Sequence, residues 1–178
     1  MTKDRLSPTT RAFVTHWGEM GTRWGINRTV AQIHALLYIS EKPLNADDLV
    51  DCLDVARSNI SMSLKDLTGW GLVTLVHLPG DRRDHFTTPS DVWELFRVII
   101  AERKRREFDP TLQAMSAMVS ASTGESVEVR RRLKELHAFM ASIAEIMDQL
   151  KVLPPSALAG LVGAAGVLST LMPKRGSS

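Results

Sequence analysis

Two adjacent arginines lie between two aspartates in the stretch LPGDRRDHF, residues 78–86. The glycine predicts a turn, and turns are exposed to solvent, so we do not expect Arg82 and Arg83 to fill a core. A guanidinium carries five N–H donors and binds phosphate or carboxylate through two of them at once. The stretch is therefore either a solvated hairpin tip or a probe for an acidic partner, with Asp81 or Asp84 as a brace for the contacting arginine.

A second polar set precedes this turn, in the segment VARSNISMSLKDLTGWG. Ile60, Leu64 and Leu67 are spaced to share one face of a helix. The outward side chains are small, polar or cationic, as required for a helix that enters a DNA major groove only about 12 Å wide. Serine and asparagine can bond phosphates or base edges, and the cations can neutralise phosphates or reach guanine. The residues predicted to bind DNA on this helix are Arg57, Ser58, Asn59, Ser61, Met62 and Lys65.

The preceding segments predict the elements that position these side chains. Large residues at steps of four, three and four, beginning after Pro8, indicate one face of an amphipathic helix; they are Phe13, Trp17, Met20 and Trp24. The glycines at 18, 21 and 25 in this stretch favour close helix packing. The segment TVAQIHALLYISE predicts a second helix, with a capping box formed by Thr29 and Gln32. Asn45 and Asp48 fit the start of a short third helix.

The runs LVTLV and DHFTT on either side of the arginine turn are typical of strands. The predicted order is helix, helix, short helix, outward-polar helix and hairpin. This order predicts a mostly α fold, a winged helix-turn-helix with a three-helix core and a β-hairpin wing. On this hypothesis Arg82 and Arg83 reach the minor groove beside the recognition helix.

The C-terminal half predicts long helices. Ser90 is placed to cap the first, with Trp93, Phe96 and Ile100 on one stripe, and a kink or break is expected at Asp109-Pro110. Apolar residues at 129, 133, 136, 140, 143, 147 and 150 follow the alternating spacing of a coiled-coil seam. This seam favours dimerisation, and its alternative is packing within one subunit.

These patterns divide the chain into four predicted segments. They are an N-terminal dimerisation or packing helix (1–27), the DNA-binding domain (28–89), the long dimerisation helices (90–153) and an Ala/Gly-rich segment (154–178). Residues 156–172 carry no charge, so a membrane anchor is one hypothesis. The segment is short for a span and its small residues insert weakly, which favours a helix packed on the dimerisation region.

Composition narrows the class of protein. The 178 residues carry a formal charge of only +2 and a sequence pI near 8.9, so affinity for a polyanion must come from local clusters of cations. Cys52 is the single cysteine, and the N-terminus has no apolar leader, which favours the cytoplasm. No metal, cofactor or catalytic motif is found, so no enzyme is predicted; His34 and His137 are expected to be structural.

The stretch LDVARSNISMSLKDLTGWGLVTLVHLPGDRRDHF, with the earlier EKPLNADDLVDCL, resembles the winged helix-turn-helix of the GbsR branch of MarR-like transcriptional regulators. The resemblance covers roughly residues 8–108. It implies a homodimer whose interface uses helices from both chain ends, and a pseudo-palindromic operator with half-sites about 34 Å apart. In the family wing a further arginine often follows, whereas here Asp84-His85-Phe86 occupy that stretch, which leaves open which arginine enters the groove.

The resemblance also implies a small-molecule effector, in some members a quaternary ammonium compound held by an aromatic cage. The aromatic residues available for such a cage are Trp17, Trp24, Tyr38, Trp93 and Phe96. Their helical spacing favours a core role, so no effector residue is assigned. The alternative function is a winged-helix dimer that docks on another protein through its wing and its Ala/Gly-rich tail, without binding an operator.

Overall fold

The structure, a computed structural model, describes residues 6–154, 156–160 and 162–164. The chain divides into two compact units, one up to Leu95 and one from Phe96 onward. None of the helices in the described ranges is long and apolar enough to cross a membrane. Most of the uncharged segment at 156–172 lies outside the described residues.

The first unit has the predicted order of elements. Its helices are α1 (Pro8–Arg23), α2 (Arg28–Ile39), α3 (Ala46–Leu53) and α4 (Arg57–Gly69), and its strands are β1 (Leu44–Asn45), β2 (Thr74–His77) and β3 (Asp84–Thr87). Helices α2, α3 and α4 share a core whose most deeply buried side chains are Ile33, Leu36, Leu49, Ile60 and Leu67. The prediction of a mostly helical winged helix-turn-helix is confirmed.

Helix α1 packs on α2 through small residues. Val14, Gly18 and Gly21 are buried, because the two glycines let the helix axes approach closely. The close packing indicated by the glycines is confirmed for Gly18 and Gly21. The large residues on one face of α1 are less buried. Trp24 is 63% exposed, and Phe13, Trp17 and Met20 are half-buried.

This close approach predicts different effects for the two glycines. A Cβ at Gly21 would lie 2.5 Å from the Cβ of Ala31, whereas one at Gly18 would meet the flexible side chain of Gln32. We expect Gly21→Ala to lower the free energy of unfolding by about 1–3 kcal/mol, because Ala31 cannot move aside. Gly18→Ala should be nearly neutral, and Gly69→Ala, which meets nothing within 4 Å, should be neutral or stabilising. Urea denaturation measures all three, and equal losses at Gly18 and Gly21 would contradict this packing.

The helix starts follow the predicted chemistry at one site and differ at another. The helix start predicted at Asn45 and Asp48 is confirmed, and the two residues form a capping box there. For α2 the predicted box was wrong, because the helix begins two residues earlier and Asn27 is its cap. The Oδ1 atom of Asn27 accepts the backbone N–H of Thr29 at 2.8 Å. Asn27 and Thr29 are both good cap residues. The non-helical backbone at Asn27, with ψ 133°, shows which of the two begins the helix.

The strands form one antiparallel sheet in the order β1-β3-β2. The hairpin was predicted, but β1 was not, since two residues have no readable alternation. Leu44 pairs with Phe86, and Asn45 pairs with His85. Because Asn45 also caps α3, this short strand fastens the wing to the N-terminus of α3.

The chain continues with α5 (Val92–Arg103), a π-helical turn (Lys104–Phe108), α6 (Asp109–Ala121), a 3-10 turn (Ser122–Gly124) and α7 (Val127–Val152). The cap expected at Ser90 is wrong, because Asp91 Oδ1 accepts the Trp93 N–H at 2.7 Å. Pro110 does not break the helix. It lacks the N–H that the carbonyl of Arg106 would need, and the π-helical turn just before it accommodates that loss.

Helix α7 carries more apolar surface than its own unit buries. Within the described residues, α6 and α7 pack on each other and bury Met115, Ala144 and Met147. A second stripe on α7 stays exposed, to between 41% and 61%; it consists of Val129, Leu136, Phe139 and Ile146. Of the predicted seam, Met147 is buried, Val129 and Leu136 are exposed, and the other four residues are half-buried. The exposed stripe also contains Phe139 and Ile146, which lie outside the seam.

Candidate nucleic-acid interface

Helix α4 separates its apolar and polar faces as predicted. Ile60, Leu64 and Leu67 are buried in the core. All six residues predicted to bind DNA on this helix are exposed: Arg57, Ser58, Asn59, Ser61, Met62 and Lys65. Ala56 at the N-cap offers no side-chain hydrogen bond, and a helix N-terminus favours a negative charge nearby.

The wing holds one of its two arginines in a fixed position. The Nε of Arg83 donates to both carboxylate oxygens of Asp81, at 2.9 and 3.1 Å, and its backbone N–H donates to Oδ1 at 3.0 Å. The hydrogen bonds from Arg83 hold the pKa of Asp81 well below its usual value, and Asp81 in turn raises the pKa of Arg83. The pair therefore stays charged across the physiological range. The sequence offered Asp81 and Asp84 as candidate braces, and in the structure Asp81 holds the arginine.

The neighbouring side chains of the wing have other roles. Arg82 is exposed and forms no ion pair with any residue in the described part of the chain. Asp84 does not brace an arginine; its Oδ1 lies 3.7 Å from His77 Nδ1, across the hairpin. The wing thus presents one braced arginine and one unpaired arginine.

Two buried histidines support the wing from inside. His85 Nδ1 lies 2.9 Å from the carbonyl oxygen of Arg83 and donates to it. Thr88 Oγ1 donates to the Leu72 carbonyl at 2.7 Å, so it accepts from His34 Nε2 at 3.4 Å. Burial lowers the pKa of His34 to about 4. Thr88 therefore links the two ends of the hairpin, and a neutral imidazole on α2 donates to its hydroxyl.

A cleft of about 320 Å³ joins the recognition helix to the wing. It brings together four of the predicted residues: Arg57, Ser61, Lys65 and Arg83. The other four predicted residues do not line this cleft; they are Ser58, Asn59, Met62 and Arg82, and all are exposed. The remaining lining comes from the start of α3, from α4 and from β3: Asn45, Ala46, Asp47, Leu64, Asp84 and Phe86.

Sequence reasoning missed Asp47 and His85. Asp47, at the start of α3, forms an ion pair with Arg57 at the start of α4. Once the helix-turn-helix is predicted, both helix starts are expected near the same surface, so the opposite charges of Asp47 and Arg57 were an available signal. For His85 the sequence carried no such signal, because nothing in its spacing shows that its side chain is buried, with only 4% exposed.

Comparison with known proteins agrees with this geometry. Residues 24–84 match the model of the MarR family. The fold is similar to a crystal structure described as that of a transcriptional regulator, with a TM-score of 0.65 and 20% sequence identity over 80% of this chain and 96% of that chain. No curated protein matches the sequence. Residues 24–84 are therefore similar to the MarR family, and the fold that contains them is a winged helix-turn-helix.

Proposed function

We propose that this protein is a transcriptional regulator that binds a specific double-stranded DNA operator as a homodimer. The observation that carries the proposal is the cleft in which the recognition helix and a braced wing arginine converge. Its cationic side chains are Arg57, Lys65 and Arg83. The match of residues 24–84 to the MarR family supports the same function.

The exposed face of α4 is suited to the major groove. Ser58, Asn59 and Ser61 are short and can bond base edges or phosphates. Lys65 lies two turns from the N-terminus of α4 and is long enough to reach the DNA backbone. The buried face of α4 fixes this surface on a rigid core, so the polar groups need little ordering when they bind.

The wing is suited to the adjacent minor groove. Asp81 orients Arg83 before any DNA is present, which reduces the entropy lost on insertion. A narrow minor groove has an enhanced negative potential, and an inserted arginine binds there. We assign Arg83 to the groove and Arg82 to a flanking phosphate. The resemblance left this choice open, and the hydrogen bonds to Asp81 support Arg83.

The exposed stripe of α7 supports a homodimer. A contiguous apolar stripe on a 26-residue helix usually marks an interface, and a second copy is the partner that an operator with two half-sites requires. We assign this stripe to the dimer interface. We propose a cytoplasmic location, because a transcriptional regulator must have access to its operator.

Two substitutions on this stripe test the dimer. Replacing both Leu136 and Phe139 with glutamate places charges where an interface would exclude water, so we expect dissociation to monomer at micromolar concentration. Lys134→Glu, on another exposed face of α7, should leave the dimer intact. Sedimentation equilibrium measures both variants. A wild-type monomer, or a double variant that dimerises as tightly as the wild type, would contradict the assignment.

Modulation by a small-molecule effector is proposed on the resemblance alone. An open groove of about 590 Å³ runs along the first part of α1. Among the described residues that line it there is no Phe, Tyr or Trp, the side chains that form a cage for a quaternary ammonium group; the lining is Leu6, Pro8, Arg11, Ala12, Thr15, His16 and Glu19. No effector residue is assigned.

The experiment that tests the function is binding of the purified protein to duplexes from its own upstream region. Fluorescence anisotropy would compare these duplexes with a mixed-sequence duplex of equal length, at rising salt. We expect at least one upstream duplex to bind about 1,000-fold more tightly or better than the mixed sequence, with affinity falling steeply as salt rises. Equal affinity for all duplexes would contradict the proposal and favour docking on a protein. Such docking would be a largely apolar contact and would depend little on salt.

A further inference from the structure

The start of α3 places an aspartate against a cation of the DNA-facing surface. Asp47 forms an ion pair with Arg57, and both side chains are more than half exposed. The same cleft holds Ser61, Lys65 and Arg83. Any phosphate or base that Arg57 contacts must therefore compete with the carboxylate of Asp47.

The charge of Asp47 lies in the first turn of α3, where it favours the helix, but the hydrogen bonds of the helix cap do not use its carboxylate. Asn45 Oδ1 accepts the backbone N–H groups of Asp47 and Asp48, at 2.9 and 3.1 Å. The carboxylate of Asp48 closes the capping box by accepting the Asn45 N–H at 3.1 Å. The side chain of Asp47 takes no part in the cap, and its only hydrogen bond within the described ranges is to Arg57.

The two kinds of DNA complex differ in what they offer Arg57. Nonspecific binding depends on the phosphates, and a nearby carboxylate both repels them and occupies the guanidinium. A matched operator offers Arg57 directed hydrogen bonds, for example the O6 and N7 atoms of guanine, and these can replace the exposed ion pair at little cost. Asp47 therefore opposes nonspecific binding more strongly than specific binding.

We propose that Asp47 is a specificity-determining residue, whose pairing with Arg57 weakens binding to nonspecific DNA more than binding to the operator. The proposal rests on the function proposed above. It assigns to a residue outside the recognition helix the task of widening the ratio between the two affinities.

Asp47→Asn tests the proposal, because it removes the charge and preserves the shape. Anisotropy titrations would use the tightest upstream duplex and a mixed-sequence duplex of equal length, each at several salt concentrations. We expect the affinity for the mixed sequence to rise about three- to tenfold, the scale of one exposed charge, with a salt slope steeper by about one. Affinity for the upstream duplex should rise less than twofold, so the specificity ratio falls.

Two controls separate this mechanism from a general effect of charge. Asp51→Asn removes an exposed charge one turn further along α3 and should leave the specificity ratio unchanged. In the Arg57→Ala background, Asp47→Asn should lose most of its effect, because the cation it acts through is gone.

The outcomes distinguish this inference from the proposed function. Suppose that the wild type selects the upstream duplex but Asp47→Asn raises the affinity for both duplexes equally, or for neither. The role proposed for Asp47 is then wrong, and the regulator hypothesis stands. The same holds if the effect persists without Arg57. If the wild type selects no duplex, the proposed function fails and this inference fails with it.

Discussion

Replacing Arg83 with alanine should lower the affinity for the preferred upstream duplex by about 10- to 100-fold, the usual effect of losing one arginine that reads a groove. The loss should be greatest for a duplex with an A·T-rich flank, where the minor groove is narrow and most negative. Anisotropy titrations with duplexes that differ only in this flank would measure it.

The variants Arg82→Ala and Asp81→Asn serve as controls for this prediction. Arg82→Ala should weaken all duplexes to a similar extent and reduce the salt slope by about one, as expected for a phosphate contact. Asp81→Asn keeps Arg83 but removes its brace, so it should give an intermediate loss for the selected duplex, whereas the loss of its negative charge should leave binding to the mixed sequence undiminished. If Arg82→Ala instead removes the preference for the A·T-rich flank, the two arginines have been assigned the wrong way round.

The fold should become less stable in acid because of His34. Its pKa is lowered to about 4 in the folded chain, whereas an unfolded histidine titrates near 6.5. Below pH 6.5 the unfolded chain therefore binds the proton more readily, and unfolding becomes progressively more favourable. The stabilisation is complete above about pH 6.5 and is lost as the pH falls to about 4. The loss attributable to this one side chain is about 3 kcal/mol.

Urea denaturation of the wild type and of His34→Gln, from pH 7 to pH 4, measures this loss. Glutamine can still donate to Thr88 but does not titrate, so His34→Gln should depend less steeply on pH than the wild type. His77→Gln, an exposed site on the wing, should keep the full pH dependence. Proton NMR of the wild type should also find the His34 imidazole neutral at pH 5; a protonated imidazole there would contradict the prediction.

The sequence predicted those features that depend on local spacing. The buried face of α4 follows from the steps between Ile60, Leu64 and Leu67, and the hairpin follows from its glycine turn and its β-branched flanks. The capping box of Asn45 and Asp48 is likewise local, since both hydrogen bonds join residues three apart. Such patterns place the residues predicted to bind DNA on an exposed surface before any tertiary contact is known.

Features that depend on tertiary contact were missed or wrong. The glycines of α1 indicated close helix packing, but their spacing did not show that α2 is the helix that Gly18 and Gly21 approach. Strand β1 is defined only by its pairing with β3, and the ion pair of Asp47 with Arg57 joins two helices. The brace was predicted as a carboxylate beside a guanidinium, but the conformation of the turn selects Asp81 and Arg83.

A hydroxyl-radical footprint on the preferred upstream duplex tests the central claim most directly. If two copies place α4 in successive major grooves and the wings in the flanking minor grooves, the duplex should show two protected patches related by a two-fold axis. Their centres should be about one helical turn apart, and Arg83→Ala should lose only the flanking minor-groove protection. Absence of protection, or uniform protection along the duplex, would contradict the account of a homodimeric operator-binding regulator.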